Sequence, residues 1–139
     1  MKQLLNLLII STFLFSCGSK NKLNPDSYEI MVTEHIPGIE QYHVFYKGND
    51  KSEKALKKFI RLFRAEKTSG DANISLYDDL SVAPLTTKFP LEPAEYLTIA
   101  DHYIAISDFS APKEILLYPY QDEIYKELGG SNWKKKPIE

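Results

Sequence analysis

The segment from Ser52 to Lys67 constrains the fold more than any other stretch of the chain. Leu56, Phe59, Ile60 and Phe63 fall at i, i+3, i+4 and i+7, which places four large apolar side chains on one face of a helix. Lys54, Lys57, Lys58, Arg61, Arg64 and Lys67 take the other angles. Ser52 supplies an N-cap oxygen, Glu53 an acid for the positive end of the helix dipole, and Gly70 ends the region. A single apolar stripe must be laid against something, and the flanking runs specify a sheet. Tyr28, Ile30 and Val32 alternate with Glu29, Met31 and Thr33. Tyr42, Val44 and Tyr46 alternate with His43, Phe45 and Lys47, and Ala72, Ile74 and Leu76 with Asn73, Ser75 and Tyr77. This period of two predicts three strands, the first two joined through Pro37-Gly38 as a hairpin with a long loop.

The second half is more broken. A short helix is expected over 80–89, capped by Asp79 or Ser81, and another over 93–100 that starts on Pro93 and buries Leu97 and Ala100. His102 to Phe109 is apolar on both faces and predicts a central fourth strand. Glu114 to Tyr118 predicts a fifth, which Pro119 stops or confines to an edge. Gln121 to Leu128 predicts a last helical turn or two before Gly129-Gly130. The expected fold class is therefore α+β: a four- to five-stranded mixed or antiparallel sheet packed on one main amphipathic helix at about 52–67, with short helices within 80–100 and near the C-terminus. Residues 28–130 make one domain with one modest core, and 131–139 read as a polar tail.

Residues 1–17 obey other rules. Lys2 is followed by an apolar run, Leu4 to Phe15, interrupted only by Asn6, Ser11 and Thr12. The run is short of the roughly 20 residues that cross a bilayer and has the length of a signal-peptide core. It ends in Leu14-Phe15-Ser16-Cys17. A branched aliphatic residue three before the cysteine and a small residue just before it resemble the lipobox of bacterial lipoprotein signal peptides, with Phe15 bulkier than is usual between them. The resemblance implies that 1–16 are removed and that Cys17 carries diacylglycerol and an N-acyl chain such as palmitate. Several acyl chains, at roughly 0.8 kcal/mol per buried methylene, anchor stably where one does not. Gly18 in place of Asp resembles outer-membrane lipoproteins facing the periplasm. Ser19-Lys20-Asn21-Lys22 lacks the acidic cluster that some Bacteroidetes lipoproteins use for surface export. Residues 17–27 are expected to form the lipidated N-terminus and a flexible tether. As a whole the chain resembles small bacterial lipoproteins, those of Bacteroidetes type among them, whose mature domains have no assigned function.

The chemistry-bearing residues are sparse. One Cys excludes an internal disulfide. No GxSxG nucleophile elbow, GxGxxG or GxxxxGK[ST] occurs, no nucleophile stands out and nucleotide binding has no motif behind it, and no cofactor is expected. Residues 51–67 hold seven Lys/Arg against two acids, and 71–127 eleven acids against three Lys. We read the basic helix as a solvated face balanced by the acidic half; the competing reading is a patch for anionic headgroups or an acidic partner. No aromatic interleaves it as in nucleic-acid binders, and no nucleic-acid partner is expected. His35 and His43, placed across the hairpin with Glu34 or Asp101, would make a zinc site, but no metal-ligand spacing exists and no metal is expected. The candidate binding residues are Asp78, Asp101 and His102 near strand ends, with Tyr118, Tyr120 and Trp133 toward the C-terminus. The expected function is that of a non-catalytic protein-binding or accessory module of the envelope, held to the membrane by its acyl chains and paired with an envelope protein. The alternatives are a small-ligand or lipid-binding module and an immunity or inhibitor lipoprotein. Enzyme activity would require Asp78, Asp101 and His102 to share one deep polar pocket.

Overall fold

The computed structural model describes residues 22–135; the apolar leader, Cys17 and residues 136–139 lie outside the described residues. The elements follow in the order β1 (Tyr28–Ile36), β2 (Ile39–Tyr46), α1 (Glu53–Lys67), β3 (Ala72–Tyr77), α2 (Pro93–His102), β4 (Tyr103–Ser107), β5 (Leu116–Leu117) and α3 (Glu123–Glu127), with short 3-10 helices at Pro25–Ser27 and Leu80–Leu85. The five strands lie in chain order, β1-β2-β3-β4-β5. All neighbours are antiparallel except β2 and β3, which run parallel. The parallel pair follows from the connection: a helix between two strands carries the chain back to the end where the first strand began. The protein is thus α+β with a mixed sheet and one main helix.

The periodicities place the layers. Tyr42, Val44 and Tyr46 of β2 and Ile74 and Leu76 of β3 pack against Leu56, Phe59, Ile60 and Phe63 of α1. Phe63 is fully buried, with the rings of Tyr28 and Tyr42 edge-on at 5.6 and 5.3 Å. Ser52 caps α1 through an Ala55 N–H donated to its Oγ. The opposite sheet face is also covered. Tyr77 and Tyr103 pack there with Val82, Ile99 and the half-buried Met31, Leu85 and Leu91, so the segment 80–102 forms a third layer.

Several boundaries differ from expectation. Pro37-Gly38 is a two-residue turn, with Gly38 at φ 83° and Ile36 paired with Ile39; the Pro-Gly order with a left-handed second residue fits a type II turn. The loop is therefore short. The helix after Asp79 ends at Leu85. In α2 it is Ile99 and Ala100 that are fully buried, with Leu97 only half-buried, and α2 runs through His102, so β4 starts one residue later than predicted. β4 lies inside the sheet between β3 and β5. β5 shrinks to two residues because Tyr118 turns at φ 45° and Pro119 has no N–H to give a ladder.

Both ends of the body are fastened. Leu23 is buried in the α1 core, and its N–H donates to Glu66 Oε1 at 2.6 Å. Gln121 is buried. Its amide donates to the Asn132 carbonyl, and its Oε1 accepts the N–H groups of Lys134 and Lys135. Trp133 sits edge-on to Tyr125 at 4.8 Å. The ordered packing therefore takes in residues upstream of 28 and downstream of 130.

Candidate functional site

Three of the six candidate residues meet where β3 ends and α2 passes into β4. Asp78 follows β3, and its N–H donates to the carbonyl of His102, the last residue of α2. That backbone bond fixes the two side chains as neighbours. His102 Nδ1 lies 2.8 Å from Asp78 Oδ1, and Lys51 Nζ donates to Asp78 Oδ2 at 2.7 Å. Asp79 Oδ2 stands 3.8 Å from His102 Nε2. The N–H and hydroxyl of Ser81, with His102 as a smaller contributor, hold the Asp79 carboxyl below its usual range. Tyr118 adds a phenol pushed up by burial first and by the charge of Asp78 second, with Lys51 opposing.

This arrangement resembles half of a catalytic triad, since a carboxylate orients an imidazole through Nδ1. The other half is missing among the described residues. The neighbour of Nε2 is Asp79, whose ionised carboxylate can only accept hydrogen bonds, and no hydroxyl or thiol is hydrogen-bonded to Nε2. Both oxygens of Asp78 are engaged by cations or the imidazole. The cluster is an ion-pair knot on the rim of the fold, and it pins the loop before α1 to the end of β3.

Asp101 is adjacent to His102 in the chain but faces elsewhere. It accepts a 2.5 Å hydrogen bond from Tyr125 Oη, which in turn accepts the Asn132 N–H at 2.9 Å. Trp133 belongs to this second group through Tyr125. Tyr120 belongs to a third: it stacks on Tyr96 at 5.1 Å and meets Tyr103 edge-on at 5.1 Å, while Tyr103 stacks on Tyr77 at 4.6 Å. The single pocket that would gather Asp78, Asp101 and His102 is not formed, because the α2–β4 junction sends consecutive side chains to opposite sides. Lys51 and Gln121, which hold the first two groups together, carried no pattern in the sequence.

The proposed histidine pairing also fails. His43 lies opposite Val32, and His35 opposite Glu40; the tight turn fixes this register, and only a longer loop would bring the histidines together. His43 is buried and links Tyr77 Oη at 3.1 Å to Glu34 Oε2 at 2.9 Å. No group of three or more His, Cys, Asp or Glu residues suited to a metal occurs among the described residues.

The basic helix divides into two kinds of cation. Arg64 turns inward and donates to the Ala72 carbonyl at 2.6 Å, to Ser107 Oγ at 2.9 Å, and to the carbonyls of Ser107 and Asp108 at 3.2 and 3.3 Å. Lys57 pairs with Glu53 and, at longer range, Glu114. Lys54, Lys58 and Arg61 are exposed and belong to no ion pair among the described residues. A groove of about 560 Å³ runs beside them, between α1 and Pro112–Ile115; Lys58, Arg61 and Lys113 are among its rim and Ile60, Pro112 and Ile115 line it. Comparison of the chain with models of known protein families, with curated proteins and with solved structures gave no match, and the functional reading therefore rests on this geometry and on the sequence.

Proposed function

We propose that the protein is a lipid-anchored accessory protein of the bacterial cell envelope, at the periplasmic face of the outer membrane, whose folded domain binds another envelope protein and performs no catalysis. The observation that carries the anchoring is the position of Cys17. It closes the apolar run and stands six residues ahead of Leu23, which is buried in the core. Six extended residues span at most about 20 Å, so acyl chains on Cys17 would hold the domain directly over the membrane. The engagement of the candidate acids supports a non-catalytic role: Asp78 is held by Lys51 and His102, and Asp101 by Tyr125. Phe89 supports partner binding. It is 96% exposed, the most exposed large apolar side chain among the described residues, in the layer that covers the sheet face opposite α1, and aromatic side chains are enriched where proteins meet.

Two measurements test this reading. Mass spectrometry of protein from bacterial membranes should find Cys17 acylated and N-terminal, and Cys17→Ser should accumulate as the unprocessed precursor. Normal processing of that variant would refute the anchor. A photo-crosslinking residue in place of Phe89 should give one discrete adduct in cells that is lost in Cys17→Ser. The same adducts from a crosslinker placed at exposed Lys126 would refute a partner surface at Phe89.

A further inference from the structure

We propose that the outer face of α1 rests on the anionic headgroups of the membrane in which Cys17 is anchored, so that the domain lies with α1 toward the bilayer and the 80–102 layer away from it. The inference rests on the lipid-anchored reading above and adds an orientation and a headgroup chemistry to it.

Lys54, Lys58 and Arg61 fall at i, i+4 and i+7, on the side of α1 opposite the buried stripe of Leu56, Phe59, Ile60 and Phe63. The stripe therefore points straight away from the sheet. The two acids of α1 lie off this stripe: Glu53 is paired with Lys57, and Glu66 takes another angle of the helix, on the flank where it accepts the Leu23 N–H. Lys113 adds a further cation across the groove. Residues 71–127 carry the domain's acidic excess, so the remaining surface is repelled by the same headgroups that attract α1.

The tether enters on the same side of the fold. Leu23 packs in the α1 core and is bonded to Glu66 of α1. Lys22, Leu23, Lys54 and Lys58 line one shallow groove along the helix flank. The chain from Cys17 thus reaches the fold on the α1 side. Its maximum span, about 20 Å, is no longer than the fifteen-residue helix itself, about 22 Å. An anchor that short lets the stripe approach to within one Debye length of the surface, about 8–10 Å at ordinary salt, where the attraction is not screened. Three cations close to an anionic surface shift the docked equilibrium by about two orders of magnitude.

The test uses the lipidated full-length protein extracted from membranes. It is reconstituted into vesicles of phosphatidylcholine alone, or of phosphatidylcholine with phosphatidylglycerol in a three-to-one ratio, and treated with a membrane-impermeant amine-acylating reagent. Mass spectrometry reads each lysine. Lys54 and Lys58 should react several-fold more slowly on the phosphatidylglycerol vesicles than on phosphatidylcholine, high salt should abolish the difference, and Lys126 should react alike on both. A Lys54→Gln, Lys58→Gln, Arg61→Gln variant should fold normally by circular dichroism, and the phosphatidylglycerol-dependent protection of Lys22 and Lys113 should fall. Equal reactivity of Lys54 and Lys58 on both vesicles, with Cys17 acylated, would overturn the orientation while leaving the anchor standing and would assign the stripe to an acidic protein. An unacylated Cys17 in the same spectra would overturn the anchor, and the orientation with it.

Discussion

Arg64 and Arg61 lie less than one helical turn apart, and they should behave as different kinds of residue. Arg64 bridges α1 to β3 and to the end of β4 through four acceptors, of which the Ala72 carbonyl at 2.6 Å and Ser107 Oγ at 2.9 Å are the closest. Hydrogen bonds that involve a charged group contribute about 1.5–3 kcal/mol each. Arg64 is only half-buried, so water recovers part of that when the guanidinium is removed, and the methylene stem of a methionine preserves most of the packing. We therefore expect Arg64→Met to cost about 2–4 kcal/mol, which for a body of about 110 residues corresponds to a fall in Tm of roughly 10 °C. Arg61 is exposed and pairs with no acid among the described residues, and Arg61→Met should change stability by less than about 0.5 kcal/mol. Urea unfolding of the two variants against the parent measures this directly, with equal slopes required so that midpoints report stability. Equal losses in the two variants, or a loss below about 1 kcal/mol for Arg64→Met, would refute the claim that Arg64 is a structural clamp and return it to the solvated face.

Phe63→Ala should cost about 3–5 kcal/mol in the same assay, because it empties a fully buried site between Tyr28, Tyr42 and Phe59, whereas Phe63→Leu should cost far less. Gln121→Ala removes three hydrogen bonds to residues 132–135 and should release the single tryptophan, Trp133; its emission should shift to the red and its quenching by iodide increase, and an unchanged spectrum would mean the C-terminal segment is held by other contacts. Tyr42 should make stability fall at high pH. Burial first, and Glu40 second, push its phenol from 10.0 up to about 12. The fold therefore holds this proton more tightly than the unfolded chain does, so the contribution is full below pH 10 and is lost as pH rises toward 12. Tyr42→Phe should flatten that decline in urea unfolding; a decline of the same steepness would assign it to other tyrosines.

What could be read from the sequence was whatever depends on neighbours in the chain. The α1 stripe, its Ser52 cap, Pro93 at the start of α2 and the alternation in β1 to β3 are local regularities with one structural solution. The register of the hairpin was not readable, because it depends on whether Pro37-Gly38 closes a two-residue or a longer loop; one choice separates His35 from His43. The fates of Arg64, Asp101 and Gln121 were hidden for a different reason. Each is decided by partners far away in sequence, such as Ser107 for Arg64 and Tyr125 for Asp101, and a wheel or an alternation gives a direction without saying what stands there. Leu23 shows the same limit in reverse: a polar, aperiodic stretch looked like tether, yet one apolar residue within it joins the core.

The order of the strands has a consequence for how the domain is put together. Because β1 to β5 lie side by side in the order in which they are made, each new strand adds to the edge left by the one before, and none has to be inserted between two already paired. Assembly can proceed by accretion from the N-terminal hairpin as the chain emerges, with a tight closure at the hairpin and longer ones, across α1 and then across the 80–102 layer, at the next two steps. The growing rim is an adhesive surface at each stage. The last strand to arrive offers only Leu116–Leu117 before Tyr118 and Pro119 turn away, so growth of the sheet ends on an edge too short to recruit another chain.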